Sequence, residues 1–273
     1  MLKLSRLLSV FGILILIQQQ EPPIAGSNRP TNYKIAPRKQ ATGKKMRHAN
    51  IRHHNGLLTA ARLQKCCKLL SLMCAGAIGS VASAAMQPNI LLVLVDDMGY
   101  SDLGCFGGEI NTPNIDKLAA EGIKFTQFSN NAKCETSRTA LMSGRYHVEE
   151  GVYQGKSVIT IPENLALAGY QNFALGKWHI FGTPMKRGFD RYFGFHEGAT
   201  NFFNGEGTGG GFSYRLDDVA LEPSDLPEDF YSTHAFTDYG IQFIEERDKA
   251  KPFFMYMAYN APHYPLHAPE AEV

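Results

Sequence analysis

Apolar runs alternate with amphipathic segments over the latter part of the sequence. The first run, "NILLVLVDD" at 89–97, is unbroken, which is typical of a strand buried on both faces of a parallel sheet. Further segments rich in apolar residues predict strands at 123–130, 171–179 and 251–265. Residues 200–215 are rich in glycine and aromatic residues and predict an irregular loop.

Segments with helix signals lie between these runs. Residues 112–122 combine an N-cap threonine, a proline in the first turn and a closing glycine, and residues 232–250 are amphipathic behind an N-cap serine. Shorter helices are predicted at 134–143 and 161–170. This alternation of strands and helices predicts an α/β fold with three layers, α/β/α, around a mainly parallel sheet.

Polar residues follow the ends of three predicted strands. Asp96 and Asp97 come after the first strand, Lys177 and His179 after a later one, and His263 after the last. The carboxyl ends of parallel strands meet at one edge of a sheet, and ligands bind beyond that edge. We therefore expect these side chains to converge on one site.

Charge divides the chain into a basic head and an acidic body. Residues 1–85 hold 13 of the 27 Lys and Arg but only one of the 26 Asp and Glu, so residues 86–273 carry an excess of acidic groups. A basic head before an acidic body is typical of a leader in front of a domain. The acidic body argues against a nucleic-acid partner, because phosphate contacts need clustered basic residues.

Two stretches of the head have the form of an export signal. Residues 1–20 carry two basic residues and then an apolar run. Residues 62–85 carry basic residues, an apolar run and an A-x-A-like cleavage site at 82–84. A buried or amphipathic helix at 68–85 is the alternative interpretation of the second stretch.

Two consecutive export signals are unusual, and this decides how we divide the chain. We interpret 1–45 as a doubtful N-terminal extension with Met46 as the true start, and 46–85 as the signal peptide region. Residues 86–273 then form the body. We expect a periplasmic or secreted protein, and N-terminal sequencing of the exported form should begin near Ala85 or Met86.

The cysteines include one candidate for chemistry. Cys105 and Cys134 are the two of five that lie in the body, a number and spacing that do not indicate a disulfide framework. Cys134 opens the helix predicted at 134–143, where the helix dipole and free N–H groups favour a thiolate. Arg138, one turn later, lies on the same face and can hold an anion or a modified Cys134. A buried structural cysteine beside a surface arginine would give the same pattern.

Asp96 and Asp97 are candidate metal ligands. Adjacent carboxylates repel each other unless a cation lies between them, and hard divalent ions such as Ca²⁺ or Mg²⁺ take such oxygen ligands. A helix-capping aspartate followed by a turn aspartate is the alternative. Alone, this pair would not identify a metal site.

Lys177, His179 and His263 are candidates for binding and proton transfer. Lys177 and His179 are two residues apart in an extended segment, so both point the same way and suit an anionic group, whereas Trp178 points into packing. His263 lies between prolines and titrates near neutral pH, as a general acid requires. His267 offers the same chemistry, and a hydrogen-bonded core histidine is the alternative for His179.

Together these motifs resemble the type I sulfatase family of the alkaline-phosphatase-like superfamily. The segments that carry the resemblance follow the family's order over residues 89–269: "NILLVLVDDMGYSDLG", "TPNIDKLAAEGIKFTQF", "CETSRTALMSGRY", "GKWHIFG", "RGFDRYFGF" and "APHYPLHAP". The resemblance implies that residues 86–273 are the N-terminal catalytic region of a sulfuric ester hydrolase, an arylsulfatase-like enzyme. It also implies that an aryl sulfate or a sulfated carbohydrate is the substrate.

The resemblance also implies roles for the candidate residues. In such enzymes a separate formylglycine-generating or sulfatase-maturing enzyme oxidises the motif cysteine, here Cys134, to Cα-formylglycine, whose hydrate attacks sulfur. Asp96, Asp97 and the modified Cys134 would then ligate Ca²⁺, with Mg²⁺ as second choice. Arg138 would hold the formylglycine. Lys177 and His179 would bind sulfate, and His263 would assist the leaving alcohol.

Two departures from the family pattern modify this expectation. Thr136 stands where the motif usually has Pro or Ala, a position that the maturing enzyme reads. The chain also ends at Val273, before the further metal ligands and the second subdomain of the family, so we expect a truncated chain of impaired activity, incomplete at its C-terminus. Two carboxylates supply few of the roughly six oxygen ligands that Ca²⁺ takes.

Other functions share parts of this pattern. A cysteine phosphatase needs a C-x5-R loop, whereas this chain has C-x3-R. A phosphodiesterase or phosphonate hydrolase of the same superfamily would use similar pocket chemistry. A non-catalytic module that only binds sulfated glycans would agree with Thr136 and the early stop.

Overall fold

The computed structural model describes residues 12–18, for which only the backbone is considered, and residues 87–273. These ranges contain a seven-stranded sheet in the order β1-β2-β7-β3-β4-β5-β6. The strands are β1 Gly12–Gln18, β2 Ile90–Asp96, β3 Gln171–Lys177, β4 Arg191–Phe195, β5 Arg215–Leu216, β6 Val219–Ala220 and β7 Phe253–Pro262.

The central part of the sheet is parallel. The pairs β1–β2, β2–β7, β7–β3 and β3–β4 all run in parallel, and the short strands β5 and β6 add antiparallel pairs at one edge. The register aligns Asp96 with Pro262, and Lys177 with Phe195. The carboxyl ends of β2, β7 and β3 therefore meet at one edge, as the sequence predicts for a mainly parallel α/β sheet.

Helices cover both faces of the sheet. The α-helices of residues 87–273 are α1 Pro113–Glu121, α2 Cys134–Ser143, α3 Ile161–Leu167 and α4 Ser232–Glu246. One core cluster joins alternate residues of β2, β3, β4 and β7 to Phe236 and Phe243 of α4. The cluster on the other face joins the remaining strand residues to Met142 of α2, with Ile161 and Leu165 of α3 against it. This is the predicted three-layer α/β/α arrangement.

The central strands are buried because their sequences are apolar on both sides. All of β3 except its first residue is buried, and β7 is buried from Phe253 to Asn260. Such unbroken burial is what parallel strands between two helical layers require. The polar ends of the strands are therefore the places where catalytic side chains can reach solvent.

One predicted strand is wrong. Residues 123–130 contain no strand, and Ile123, Phe125 and Phe128 expose 83%, 58% and 59% of their surface. The alternating pattern fits a half-buried strand, but the described residues offer it no partner strand, and an unpaired strand has no ladder of hydrogen bonds to stabilise it.

Other differences are smaller. Helix α4 ends at Glu246 rather than at residue 250, and its N-cap is Tyr231, one residue before the predicted Ser232. Strand β4 was not predicted, although its residues "RYFGF" lie in a motif that the sequence singles out. Its glycine and bracketing loops obscure a run of only five residues.

Strand β1 was also not predicted. Its residues, "GILILIQ", belong to the apolar run within residues 1–20, which has the form of an export signal. They pair in parallel with β2. An apolar run of this composition is equally typical of a buried parallel strand. The division at residues 45 and 46, the second export signal at 62–85 and the cleavage site lie outside the described residues and stay predictions. No helix within the described residues has the length and apolar character to cross a membrane.

Candidate active site

An ion pair forms where β2 and β3 end. Asp96 is the last residue of β2 and Lys177 the last residue of β3, and the Lys177 ammonium donates to Oδ2 of Asp96. Both side chains are completely buried. A buried charge is costly unless it is paired, so this contact fixes both strand ends relative to each other.

Arg138 joins this pair from α2. Its guanidinium lies 3.3 Å from Oδ1 of Asp96 and donates hydrogen bonds to the carbonyl oxygen of Lys177 and to the hydroxyl of Tyr256. Arg138 is fully buried, where the sequence left a surface arginine open as an alternative. The buried contacts link α2 to β2, β3 and β7.

The three charges set each other's protonation. Burial alone would raise the pKa of Asp96, but Arg138 and Lys177 outweigh burial and lower it, so Asp96 is ionised. Burial and the neighbouring Arg138 lower the pKa of Lys177. The cluster thus holds two cations against one carboxylate, which leaves positive charge for a further anion.

A glycine allows the backbone to bend just before Lys177. Gly176 has φ +88°, and a Cβ at this position would lie 2.0 Å from the carbonyl oxygen of Ala258. Only glycine tolerates both conditions. Beyond the bend, Trp178 packs edge-on against Phe189, with ring centroids 5.8 Å apart, as predicted for a residue that points into packing.

Cys134 and His179 meet beside the charge cluster. Cys134 is the first residue of α2, buried, and its Sγ lies 3.3 Å from Nδ1 of His179. Burial, followed by the charge of Lys177, lowers the pKa of His179 to about 4. His179 is therefore neutral at pH 7, and its Nδ1 can exchange a proton with a group on residue 134.

The turn before Cys134 is held by Thr136. The Thr136 hydroxyl lies 3.0 Å from the carbonyl oxygens of Asn131 and of Lys133 and donates to them. Such side-chain bonds to nearby backbone are typical of Ser and Thr at helix starts. The residue that departs from the family motif therefore has a local structural function here.

Asp97 and His263 form a second pair. Nε2 of His263 lies 3.5 Å from Oδ2 of Asp97, and both side chains are partly exposed. Burial and the charge of Asp96 raise the pKa of Asp97. Nδ1 of His263 lies 2.5 Å from the carbonyl oxygen of Tyr264, which can only accept, so Nδ1 carries a proton and Nε2 is the nitrogen that faces Asp97.

Two of the site residues have an uncommon backbone conformation. Asp97 has φ +62° and His179 has φ +47°, so both non-glycine residues are in the left-handed region. Such strain costs about 1–3 kcal/mol per residue and clusters at active sites and ligand clamps. Asp97 directly follows β2 and His179 is the second residue after β3, so both conformations orient a side chain at the edge where ligands bind.

The carboxylates have atoms to offer a cation. Oδ1 of Asp96 and Oδ1 of Asp97 are buried and make no hydrogen bond within the described part of the chain. Oδ1 of Asp97 therefore suits a hard cation such as Ca²⁺, whereas Oδ1 of Asp96 also faces the Arg138 guanidinium at 3.3 Å and would be shared with it. Residues 87–273 contain no group of three or more His, Cys, Asp and Glu side chains arranged to hold a metal, so Asp96 and Asp97 can supply only part of a ligand set.

The sequence-predicted residues therefore lie together at one edge of the sheet, in contacting groups: Asp96 with Arg138 and Lys177, Cys134 with His179, and Asp97 with His263. Their catalytic and metal-binding roles remain predictions. His267 lies apart from these contacts and packs on Phe202 and Phe203.

Several residues near the site had no signal in the sequence. Tyr256 points from β7 to Arg138, and Gly198 packs against the His179 ring. A cavity of about 250 Å³ opens beside His179, and Thr139 and His196 also line it. A threonine in a helix and a histidine after an unpredicted strand are too common to be singled out by residue type alone.

Comparisons with known proteins identify the family of the chain. The family model described as Sulfatase matches residues 88–271. An arylsulfatase of Klebsiella aerogenes is 34% identical over 226 residues, which cover 74% of this chain and 48% of that protein. Arylsulfatase J of Mus musculus is 34% identical over 206 residues, covering 67% of this chain and 34% of that protein.

Solved structures add a likeness of fold. A crystal structure with a bound neocarrahexaose matches with a TM-score of 0.56 and 34% identity, over 68% of this chain and 48% of that one. Another, in complex with D-glucosamine-2-N,6-O-disulfate as its substrate, has a TM-score of 0.55 and 32% identity over 65% of this chain and 35% of that one. The chain spans about half the length, or less, of the relatives it matches. The family match over most of residues 87–273 shows that the chain belongs to the sulfatase family.

Proposed function

We propose that this chain forms the catalytic centre of a hydrolase that cleaves sulfate esters and whose nucleophile is carried by residue 134. The observation that carries the proposal is the convergence of Cys134, His179, Lys177 and Asp96 at one edge of the sheet. This edge combines a reactive side chain, a neutral proton acceptor and buried positive charge. A sulfate ester is an anion whose cleavage needs all three.

Residue 134 would carry the nucleophile after maturation. A separate maturing enzyme, which supplies the two-electron oxidant, would convert the CH₂–SH group of Cys134 to an aldehyde with loss of the sulfur. Water would then add to the aldehyde, and a hydroxyl of this hydrate would be the attacking oxygen. The position at the start of α2 suits an oxygen that gains negative charge, because the first backbone N–H groups of the helix are unpaired. Thr136 is compatible with this role since its side chain stabilises the turn that presents residue 134.

Lys177 and Arg138 would provide the anion-binding charge. In the described structure both are paired with Asp96, so a bound sulfate would share Lys177 with that carboxylate. Both cations are buried, where charge interactions are screened less than at the surface. This arrangement holds positive charge in place before the substrate arrives, so little reorganisation is needed during the reaction.

Two histidines would move protons. His179 is neutral and its Nδ1 faces residue 134, so it can accept a proton there. His263 has its Nδ1 occupied by the Tyr264 carbonyl, so its Nε2 is the atom that would donate a proton to the departing alcohol. The neighbouring Asp97 would orient that ring.

Asp96 and Asp97 would hold a divalent cation, for which we propose Ca²⁺. The support for this assignment is that both buried Oδ1 atoms make no hydrogen bond within residues 87–273, although Oδ1 of Asp96 would be shared with the Arg138 guanidinium 3.3 Å away. When bound, the ion would add positive charge that polarises the sulfate group.

A sulfated carbohydrate is the substrate class we propose. The relatives include an N-acetylglucosamine-6-O-sulfatase of Bacteroides thetaiotaomicron, and the structure neighbours include the two saccharide complexes described above. Export to the periplasm or the exterior, inferred from residues 62–85, is part of the same proposal.

Hydrolysis of para-nitrophenyl sulfate tests the proposed function. The full chain, co-expressed with a formylglycine-generating enzyme and supplied with Ca²⁺, should release nitrophenol, and a chelator or Cys134→Ala should reduce the rate by about 10³-fold or more. The matched control is Cys105→Ala, which removes the other cysteine of the body and should leave the rate unchanged. Faster cleavage of a nitrophenyl phosphodiester or phosphonate than of the sulfate would contradict the proposal.

A further inference from the structure

A cavity next to His179 is not used by the chemistry described so far. It has a volume of about 250 Å³, and its walls include His179, Thr139 of α2 and His196, which follows β4 directly. Because His179 touches Cys134, the cavity lies next to residue 134, where the sulfate is proposed to bind. The cavity is therefore adjacent to the reacting atoms without containing the buried charge cluster.

Two polar atoms on the cavity walls lack partners. Oγ1 of Thr139 and Nε2 of His196 are buried and make no hydrogen bond within residues 87–273. Thr139 is 1% exposed, so its hydroxyl has no ready access to bulk water. An unsatisfied buried polar group costs about 1–3 kcal/mol, and native proteins keep such groups mainly where a ligand or water completes them.

His196 is held in one orientation. Its ring stacks on Tyr192, with centroids 5.6 Å apart and planes 29° from parallel. The Tyr192 hydroxyl in turn donates to the carbonyl oxygens of Gly176 and Phe195, so the stacking partner is itself fixed. Burial, with a contribution from Arg215, lowers the pKa of His196, which keeps the ring uncharged near neutral pH. A fixed neutral imidazole offers one donor and one acceptor.

The remaining walls suit a neutral ring with hydroxyl groups. Tyr153 and Phe181 provide aromatic surface, on which the C–H faces of a sugar can pack. Glu135, whose carboxylate lies 3.1 Å from the Lys133 ammonium, provides oxygens that accept hydrogen bonds from hydroxyls. The cavity therefore favours the uncharged part of the substrate over the sulfate itself.

We propose that this cavity binds the sugar ring of a sulfated carbohydrate, and that His196 and Thr139 are specificity residues that hydrogen-bond its hydroxyl groups. The inference rests on the proposed function, since it places the sulfate at residue 134. It goes further by naming the atoms that distinguish a sugar ester from a simple aryl ester. A site built to hydrogen-bond hydroxyls rejects analogues that lack them more strongly than an apolar pocket rejects an added group.

The experiment compares two esters and two conservative variants in the full chain. The esters are glucose sulfated at its primary hydroxyl and para-nitrophenyl sulfate, which has no hydroxyl groups on its ring. His196→Phe keeps an aromatic ring against Tyr192 but removes both nitrogens, and Thr139→Val keeps the shape but removes the hydroxyl. Affinity is measured by calorimetry and kcat/KM by turnover.

We expect each variant to lower affinity and kcat/KM for the glucose ester by about tenfold, and to change those for the aryl ester by less than about twofold. His196→Asn, which restores a donor and an acceptor, should recover part of the loss. Thr139→Val should leave the free energy of unfolding unchanged or raised, because the lost hydroxyl has no partner in the free protein. His234→Phe, an exposed histidine paired with Glu272, is the matched control and should change neither ester.

The outcomes separate this inference from the proposed function. Equal effects on both esters, or none on the glucose ester, would overturn the inference while leaving sulfate hydrolysis intact. Binding of the glucose ester without hydrolysis of either ester would contradict the proposed function, and the binding data on the variants would still decide the roles of His196 and Thr139. Absence of binding of the glucose ester would overturn the inference.

Discussion

At the scale of single residues, the position of His179 depends on the glycine packed against it. A Cβ at Gly198 would lie 3.0 Å from Cε1 and 3.3 Å from Nε2 of the His179 ring. A shift of the ring would change its contact with Cys134, because Nδ1 lies 3.3 Å from Sγ. Gly198 is therefore a positioning residue for the proton acceptor.

Gly198→Ala should displace the His179 ring by a few tenths of an ångström. We expect kcat for para-nitrophenyl sulfate to fall by about tenfold or more, because small misplacements of catalytic groups are costly, while the melting temperature changes little. Gly209→Ala is the matched control, since a Cβ there would meet nothing within 4 Å. An unchanged kcat in Gly198→Ala, or equal losses in both variants, would contradict this role.

Single residues also show where sequence reasoning reaches its limit. Asp96, Lys177 and His263 could be predicted because each directly follows a strongly apolar run, and the parallel sheet brings such ends together. Arg138 was assigned to the helix face of Cys134, but its guanidinium is turned to Asp96 and Tyr256, which no local pattern reveals. His196 and Thr139 become candidates for substrate binding only because both line the same cavity in the structure.

At the scale of elements, α3 is tied to the loop before β4 by one buried threonine. Thr160 precedes α3, is fully buried, and its hydroxyl donates to the carbonyl oxygen of Arg187 and to Glu163 at 3.0 Å each. Glu163 also accepts from the Thr160 backbone N–H at 2.6 Å and from the Arg187 guanidinium at 2.9 Å. This network fixes the entry into β4, the strand that His196 directly follows.

Thr160→Val should remove these side-chain bonds without changing shape. We expect a loss of about 1–2 kcal/mol in the free energy of unfolding, because the Arg187 carbonyl loses a buried donor. Chemical denaturation followed by circular dichroism measures this loss. Thr208→Val, at an exposed threonine in the glycine-rich loop, should change stability by less than about 0.5 kcal/mol, and equal effects of the two substitutions would count against the network.

Helices and strands were predicted correctly where the sequence pattern within the segment is sufficient to specify them. The prediction of α2 at 134–143 agrees with Cys134–Ser143, and β2, β3 and β7 follow their apolar runs. The prediction at 123–130 failed because a strand also needs a partner, which is a property of the whole sheet. The glycine-rich loop was predicted correctly as irregular, but the sequence does not reveal that Phe202 and Tyr214 in it are buried core residues.

At the scale of the molecule, one topological property creates the site. The three central parallel strands end at the same edge, and α2 begins close to it, so four separate segments of the chain meet there. The fold class could be predicted because unbroken apolar runs alternating with helices allow few other architectures. The proposed metal and the proposed modification of Cys134 rest on the resemblance to the family, because they depend on atoms that the chain itself does not encode.

The mass of the peptide that contains Cys134 tests the central claim most directly. Trypsin cleaves after Lys133 and after Arg138, so it should release residues 134–138 from the full chain co-expressed with a formylglycine-generating enzyme. The account predicts a peptide in which the CH₂–SH group of residue 134 has been replaced by an aldehyde. This same peptide should react with a hydrazide. A peptide that carries only the free thiol, while a peptide with Thr136→Pro is converted under the same conditions, would contradict it.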